Sequence, residues 1–589
     1  MSELVTGVPP ATLIWLAALF GLTRNSRIVT GAGVGACAVV TAWTLVVPSG
    51  AAGGWTFLEF TLVPVSVDPA SRVVGLAFAA FGIVALVYLS GTGGEWYHGT
   101  VALVYIGGAV CGVFAGDWLT LLVAWEVMAI ASTILVWVHG GDAVRIGFRY
   151  ALVHAIGGAV FAAGIALHLV SVGPSPDSLQ FADGLASGIP AVVAGVGITI
   201  NAALIGVHVW LPDTYAAPHV GVSVVLSAYT TKLAAYAAFR AFPEGNLALA
   251  YVGGAMAIFG ASYALIQKDA RRLLSYHIQA QVGYILAGIG VGSSLGAAGA
   301  VAHLFNNVLF KGLLFMIAGA IIVRTGTPSL DKGGRLSMNS PVLAGSFLIA
   351  AASITAVPGT NGFVSKGMVL DAAIDGGHGP LRWLLLVGAV GTVISFVKFG
   401  YLAAFRGRTT TFRDVSGGQA VAMVPVAVVC VALGIFYGSF FELLPASDRW
   451  TTAPYSQRHV REKVTLFGVG GVLFLAGRPL LDRLDGGRDI DTIRDPVVFG
   501  LTRRTVCAVS AGFGSIAAAE LAIRARIARL VYEPVESVAT LLPRRIEPVY
   551  RAYAAGTVGT TGIQPSVTYR LFALVCCLLA GLILGVSFQ

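Results

Sequence analysis

Long apolar runs, interrupted by short polar stretches, dominate the chain. A hydrocarbon core of roughly 30 Å needs about 20 apolar residues per helix. On that ruler sixteen spans emerge, at 4–23, 29–48, 73–91, 99–115, 117–138, 148–171, 189–211, 220–240, 246–267, 272–292, 295–323, 341–372, 382–405, 419–440, 463–477 and 567–587. The runs are long and do not alternate with period two, which argues against a β-barrel. The predicted fold class is an all-α polytopic membrane protein with about 14–16 transmembrane helices. Two stretches are interrupted: 189–220 through Pro212 and Pro218, and 341–372 through Pro358 and Gly362.

The loops test the count. With the N-terminus outside, every second loop is expected to be basic. The predicted inner loops hold Arg24 and Arg27; Arg145; Lys268, Arg271 and Arg272; Arg324, Lys332 and Arg335; Arg406, Arg408 and Arg413. The outer loops hold fewer, Arg72, Arg240 and Arg382, and the loop near 172–188 has Asp177 and Asp183 with no Lys or Arg. The loop 441–463 breaks the pattern with Arg449, Arg458, Arg461 and Lys463.

Composition agrees. Of 589 residues, 56% are hydrophobic and 11% charged, less than half the roughly 25% charged of soluble proteins. Mean hydropathy is +0.83. These values exclude a soluble enzyme, a disordered chain and a secreted disulfide scaffold. The net charge of +9 is read as basic loops on one membrane face, not as a nucleic-acid surface. The six cysteines form no CxxC pair and mostly lie in apolar runs, as buried small hydrophobes do. MSELVTGVPP has no basic n-region, so no cleaved signal peptide is expected. Residues 478–560 are rich in Arg, and 505–532 mixes apolar and basic residues at helical spacing. An amphipathic helix along the inner face is expected there.

The informative residues are ionisable groups inside apolar spans, which cost about 2.5–3.5 kcal/mol each at mid-membrane. They are Glu126 in LLVAWEVMAIAS, Lys232 in VVLSAYTTKLAAYAAF, Lys311 in HLFNNVLFKGLLFM, Lys366 in AVPGTNGFVSKGMVL and Lys398 in TVISFVKFGYLAAF. Snorkelling to the interface is the plainer reading for Lys398 and, less so, for Lys366. An ion pair pinning two helices is the plainer reading for Glu126. His154, His208, His277 and His303 accompany them, with Asn201, Gln279, Gln281, Asn306 and Asn307. One such histidine would be a packing residue. Four, among amides and lysines, point to a hydrated polar axis, along which neutral imidazole can pass protons. Breaks at corresponding places in two halves suggest inverted repeats around a transport site. No phosphate-binding glycine loop, metal-ligand spacing or nucleophile triad appears, so no cofactor is expected.

VWLPDTYAAPHVGVSVVLSAYTTKLAAYAAFR, QKDARRLLSYHIQAQVGYILAG, HLFNNVLFKGLLFM and PGTNGFVSKG resemble the signatures of antiporter-like membrane subunits. That superfamily is shared by Mrp-type multisubunit cation/proton antiporters, respiratory complex I and membrane-bound hydrogenases. The match covers roughly 100–410, and WLPDTYAAP, TTKLAAY and the VKFG stretch around Lys398 resemble the Mrp D-type subunit most. The resemblance implies a fourteen-helix core with two inverted five-helix repeats, here 99–240 and 246–405. N-terminal helices would occupy 1–98 and further helices 406–477. The basic segment, 478–566, and a last helix, 567–589, would follow, similar to a lateral helix.

The resemblance further implies that Glu126 is the family glutamate, normally paired with a lysine of the first broken helix. Lys232 matches the connecting lysine, Lys311 the central one and Lys366 that of the second broken helix. Counting back from Trp210, the paired lysine falls on Asn201, which cannot titrate, and Asn307 stands where the family often has histidine. His154 or His208 is a possible substitute. Burial weakens an ammonium's hold on its proton and a nearby carboxylate restores it. A relay through Glu126, Lys232, Lys311 and Lys366 follows, with His154, Asn201, His208, His277, His303 and Lys398 as further candidates. The expected function is the proton-conducting subunit of a cation/proton antiporter, with sodium the expected cation. The chain would work with other membrane subunits in a prokaryotic plasma membrane. The alternatives are a proton-pumping subunit of a complex I-like enzyme or hydrogenase, and a non-transporting scaffold.

Overall fold

A computed structural model of the chain describes residues 8–181, 184–332, 340–405, 414–483 and 491–532, with 547, 548, 551 and 555. It divides into two compact units, residues 1–488 and 489–589. In the first, α1 (Ala11–Ala18), a 3-10 turn (Leu19–Thr23) and α2 (Ser26–Val46) lead to four short strands. β1 (Gly50–Ala52) pairs antiparallel with β4 (Val65–Val67), and β2 (Trp55–Phe57) with β3 (Phe60–Leu62). Then come α3 (Pro69–Gly91), α4 (Trp96–Phe114), α5 (Trp118–Trp137), α6 (Asp142–Val172), α7 (Ile189–Asn201), α8 (Trp210–Ala216), α9 (Val220–Ala228) and α10 (Thr230–Ala241). The chain continues through α11 (Leu247–Ile266), α12 (Ala270–Gly290), α13 (Ser294–Thr325), α14 (Pro341–Thr355), α15 (Asn361–Asp375), α16 (Gly379–Phe405), α17 (Gly417–Ile435), α18 (Tyr437–Phe441) and α19 (Gln457–Arg483). The second unit contributes α20 (Asp491–Tyr532).

Local sequence explains where the helices start. Asn25, Asp68, Asp117, Asn246, Asp269, Ser293 and Ser416 each accept a hydrogen bond from a first-turn N–H. Such caps satisfy donors that a helix cannot satisfy itself. Asp117 also accepts from the Val63 N–H at 2.8 Å, tying the strand region to α5. Gly326, with φ 68°, ends α13 in the left-handed conformation that suits glycine.

Among the described residues twelve helices are long and apolar enough to cross a membrane, and Ala11–Thr23, α7 and α14 are apolar but shorter. The chain is thus a multi-pass membrane protein. Predicted spans from 4–23 to 463–477 meet helices, and 567–587 lies outside the described residues. α13 is buried on all sides along most of its length, as expected for a uniformly apolar helix at the centre of a bundle. The Tyr88 hydroxyl of α3 donates to the Met316 carbonyl of α13 at 2.6 Å, fastening the N-terminal helices to it. α11 and α12 approach through glycine: a Cβ at Gly253 would stand 2.4 Å from the Gly283 carbonyl oxygen, and the reverse also holds. Only small residues permit such backbone contact.

Three boundaries differ from the sequence reading. The span 220–240 is two helices, broken at Tyr229. The span 463–477 is a helix from Gln457 to Arg483, so the 406–477 segment runs past its predicted end. Arg458, Arg461 and Lys463 therefore lie on this helix, and the contrary basic loop keeps only Arg449. Their charges lowered the local hydropathy and hid the helix start. The amphipathic stretch 505–532 is part of α20, whose residues 507–528 are also long and apolar enough to cross a membrane.

Candidate functional site

Three helix discontinuities surround the polar interior. α7 ends at Asn201, and residues 202–209 run irregularly to α8. α14 ends at Thr355, and 356–360 lead to α15. The third is at Tyr229. Both longer breaks turn on an alanine in the left-handed region, Ala203 (φ 62°) and Ala356 (φ 63°). That conformation costs roughly 1–2 kcal/mol in a residue bearing a Cβ. Breaks free backbone carbonyls, which must find donors at this depth. Gln279 Nε2 donates to the Ala203 carbonyl at 2.9 Å, and Trp210 Nε1 to the Ile200 carbonyl at 3.2 Å.

The buried lysines serve as further donors. Lys232 Nζ donates to the Ser227 carbonyl at 2.6 Å, beside the Tyr229 break. Lys366 Nζ donates to the Ile354 carbonyl at 2.7 Å, across the second break, and lies 4.6 Å from the Tyr284 ring centre. Lys311 Nζ donates to the Leu274 carbonyl of α12 at 3.0 Å. All three are at most 1% exposed. Among the described residues none has a carboxylate partner. Lys311 is within electrostatic reach of both Lys232 and Lys366.

Around Lys311 and Lys366 the second half gathers its polar side chains. His303 Nδ1 meets Ser365 Oγ at 3.0 Å and its Nε2 meets Gln281 Oε1 at 3.2 Å. Asn306 Nδ2 donates to the Asn361 carbonyl, and Asn361 Nδ2 returns a bond to Asn306 Oδ1. His277 is fully buried beside Phe396, and neither ring nitrogen has a hydrogen bond among the described residues. The amide atoms of Asn307 are equally unpartnered there. These groups lie on α12, α13 and α15.

The first half is sparser. Glu126 of α5 reaches across to α6 at Gly158, where a Cβ would fall 1.9 Å from its Oε1. Asn201 packs on the next glycine: a Cβ at Gly157 would be 2.6 Å from its Nδ2. Glu126 has no ion pair among the described residues. His154 stands one turn before these glycines, fully buried between Tyr150 and Trp210, with ring centres 4.1 and 4.6 Å away. Asn201 lies beside its ring. His154 also lines a small void with Trp125, Met128, Thr230 and Leu233, one residue from Lys232. The two other candidates fall elsewhere. His208 sits in the first break against Phe259 and Tyr276, accepting from Gly206 N–H. Lys398 caps α11, donating to the carbonyls of Leu265 and Gln267 at 2.5 and 2.8 Å.

Sequence reasoning missed two groups. Lys463 is 3% exposed on α19, 3.7 Å from Glu462, which also pairs with Arg382 of α16. It lies within electrostatic reach of Lys366. Beside it Asp371 accepts from His459 at 2.8 Å and from Thr452 at 3.2 Å. Its position near a helix start, read as a loop, concealed it. The second group is Asp213, on α8, bridging Arg149 of α6 at 3.3 Å and Arg272 of α12 at 2.5 Å. The D in WLPD was the only signal. Among the described residues no cluster of three or more His, Cys, Asp and Glu could hold a metal ion.

Residues 115–395, which hold most of these groups, match the sequence family described as NADH:quinone oxidoreductase/Mrp antiporter, transmembrane. The chain is 28% identical over 417 residues to the D-type subunit of the Na(+)/H(+) antiporter of Alkalihalophilus pseudofirmus, covering 66% of this chain and 83% of that protein. It is 30% identical over 361 residues to the N-type subunit of the NADH-quinone oxidoreductase of Desulforudis audaxviator, covering 56% and 71%. In fold it is similar to a chain of the Mrp complex from Dietzia sp., with a TM-score of 0.66 at 19% identity, covering 80% of this chain and all of that one.

Proposed function

Because this chain belongs to the NADH:quinone oxidoreductase/Mrp antiporter family of membrane subunits, we propose that it conducts protons within a multisubunit cation/proton antiporter. Sodium is the cation proposed, since a D-type subunit of a Na(+)/H(+) antiporter is among its relatives. Other membrane subunits and a prokaryotic plasma membrane complete the reading. The observation that carries it is the set Lys232, Lys311 and Lys366, buried, each hydrogen-bonded to a backbone carbonyl and without a carboxylate partner among the described residues.

A carbonyl positions an ammonium without neutralising it. The proton's place among these lysines is then set by the charge on neighbouring sites, which interact strongly in a medium of low polarity. Protonating one lysine drives the proton off the next. His303, with Ser365 and Gln281 on its two nitrogens, lies within electrostatic reach of Lys366 and Lys232 and can be donor and acceptor at once. The orphaned nitrogens of His277 and amide of Asn307 are groups that water would satisfy at this depth. In the first half we assign the missing lysine's place to His154, which lies between the Glu126–Asn201 notch and the turn bearing Lys232. Lys463, with Glu462, is assigned the far end beyond Lys366. The segments 99–240 and 246–405 are proposed as the two repeats, on the strength of their alanine-centred breaks.

Sodium-driven proton movement in everted vesicles carrying the native assembly tests the reading. Loss of exchange in Lys311→Ala with assembly intact supports it; full exchange overturns it. A second reading, a proton-pumping subunit of a redox complex, is favoured by the 30% identity to a quinone oxidoreductase subunit. The subunits that co-purify decide between the two: small antiporter subunits, or iron–sulfur and quinone-site subunits.

A further inference from the structure

Between α16 and α19 lies an open groove of about 680 Å³. Its rim is basic: Arg458 and Arg461 line it from α19 and Arg382 from α16. Arg382 is committed to Glu462. Arg458 and Arg461 are exposed and have no carboxylate partner among the described residues. Below the rim the lining turns apolar, through Leu386, Val390, Leu466 and Val469. Trp383, 65% exposed, stands at the level of the arginines, where indole rings mark the membrane interface. The groove closes where Gly470 packs onto Val393. From Arg458 to Val469 a helix rises about 16 Å, close to one leaflet of a hydrocarbon core roughly 30 Å thick.

We propose that this groove binds an acidic phospholipid, with its phosphate between Arg458 and Arg461 and one acyl chain along the apolar wall. Charge complementarity at the rim and a depth of one leaflet fit that occupant. A zwitterionic lipid would leave two guanidiniums without net compensation, and a free phosphate would leave the apolar wall unused. The site shares Arg382 with the Glu462–Lys463 pair but does not depend on any role of that pair in transport.

Trp383 is a built-in reporter. The full-length protein, purified in detergent, is titrated with brominated phosphatidylglycerol or brominated phosphatidylcholine while tryptophan fluorescence is followed. The quenching component missing from Trp383→Phe belongs to the groove. Its half-saturation is expected at several-fold lower mole fraction for the anionic lipid, and the preference is expected to vanish in the Arg458→Gln/Arg461→Gln double variant. Equal quenching by the two lipids in the wild type would overturn the proposal. Displacement of the anionic lipid by millimolar inorganic phosphate would do the same, since it assigns a free-anion site. A polypeptide that co-purifies and blocks both lipids would assign the groove to a protein partner instead. The variant's circular dichroism spectrum and elution volume show whether it is folded, and Arg458→Lys/Arg461→Lys should keep the preference.

Discussion

The Lys366 ammonium and the Ile354 carbonyl oxygen, 2.7 Å apart, join the two arms of a broken helix across its gap. The same side chain thus closes a structural defect and, in the function proposed above, supplies a mobile proton. Removing it should harm both roles, and removing only the proton should harm one. Lys366→Met is expected to lower thermal stability by about 1–3 kcal/mol, the cost of leaving a buried acceptor unpaired. Lys366→Arg is expected to recover most of that stability while exchange in everted vesicles stays low, because guanidinium does not give up its proton. Equal exchange by Lys366→Arg and wild type would show that the proton does not pass here.

Gly158 keeps the space that Glu126 occupies. Gly158→Ala should displace the carboxylate at little cost to folding, since the far end of a flexible side chain moves. Exchange should fall about as far as in Glu126→Gln. A double-mutant cycle tests this: in contact pairs the two losses do not add, so the double variant should resemble either single one. Additive losses would separate the glycine from the glutamate.

Asn201 and His154 form a second testable pair. Asn201→Lys places an ammonium next to Glu126, over Gly157. If His154 stands in for the missing lysine, His154→Ala should abolish exchange, and adding Asn201→Lys should restore part of it. Wild-type exchange by His154→Ala alone would remove this residue from the path.

Asp68, the cap before α3 and outside the apolar spans, pairs at 2.5 Å with Arg240 at the end of α10. Burial tends to raise the Asp68 carboxyl, but the Arg240 guanidinium and the Ser71 N–H hold it below its usual value. A lowered folded-state value stabilises the fold at every pH above the ordinary carboxylate range, and that contribution disappears as pH falls through the lowered value. Asp68→Asn should therefore melt earlier at pH 7. Between roughly pH 4 and 2 its melting temperature should fall less steeply than that of wild type. Parallel curves for the two proteins would contradict the coupling.

Much of this was legible in the chain. The apolar runs set the helices because a membrane leaves a spanning backbone few other choices. Pro358 and Gly362 marked the second break because they interrupt an apolar run. The break at Tyr229 carried no such mark: no proline or glycine stands at it, and the Lys232 ammonium that bonds the Ser227 carbonyl there reads in the sequence only as a costly charge. Lys311 could be singled out as costly, but not its acceptor, Leu274, which lies on another helix. Lys463 was hidden because charged first turns of a helix look like loop. A carboxylate in an apolar run calls for a cation, and the packing of Glu126 on a glycine of α6 follows only from three dimensions.

The bridge made by Asp213 also fixes how the first interrupted helix can yield. One carboxylate pairs, through its two oxygens, with two guanidiniums from different helices, and the Trp210 indole is tied back to Ile200. The short arm α8 is thereby held at its first residue and at its middle. The strain of this interruption is therefore concentrated in residues 202–209, where Ala203 takes a left-handed backbone.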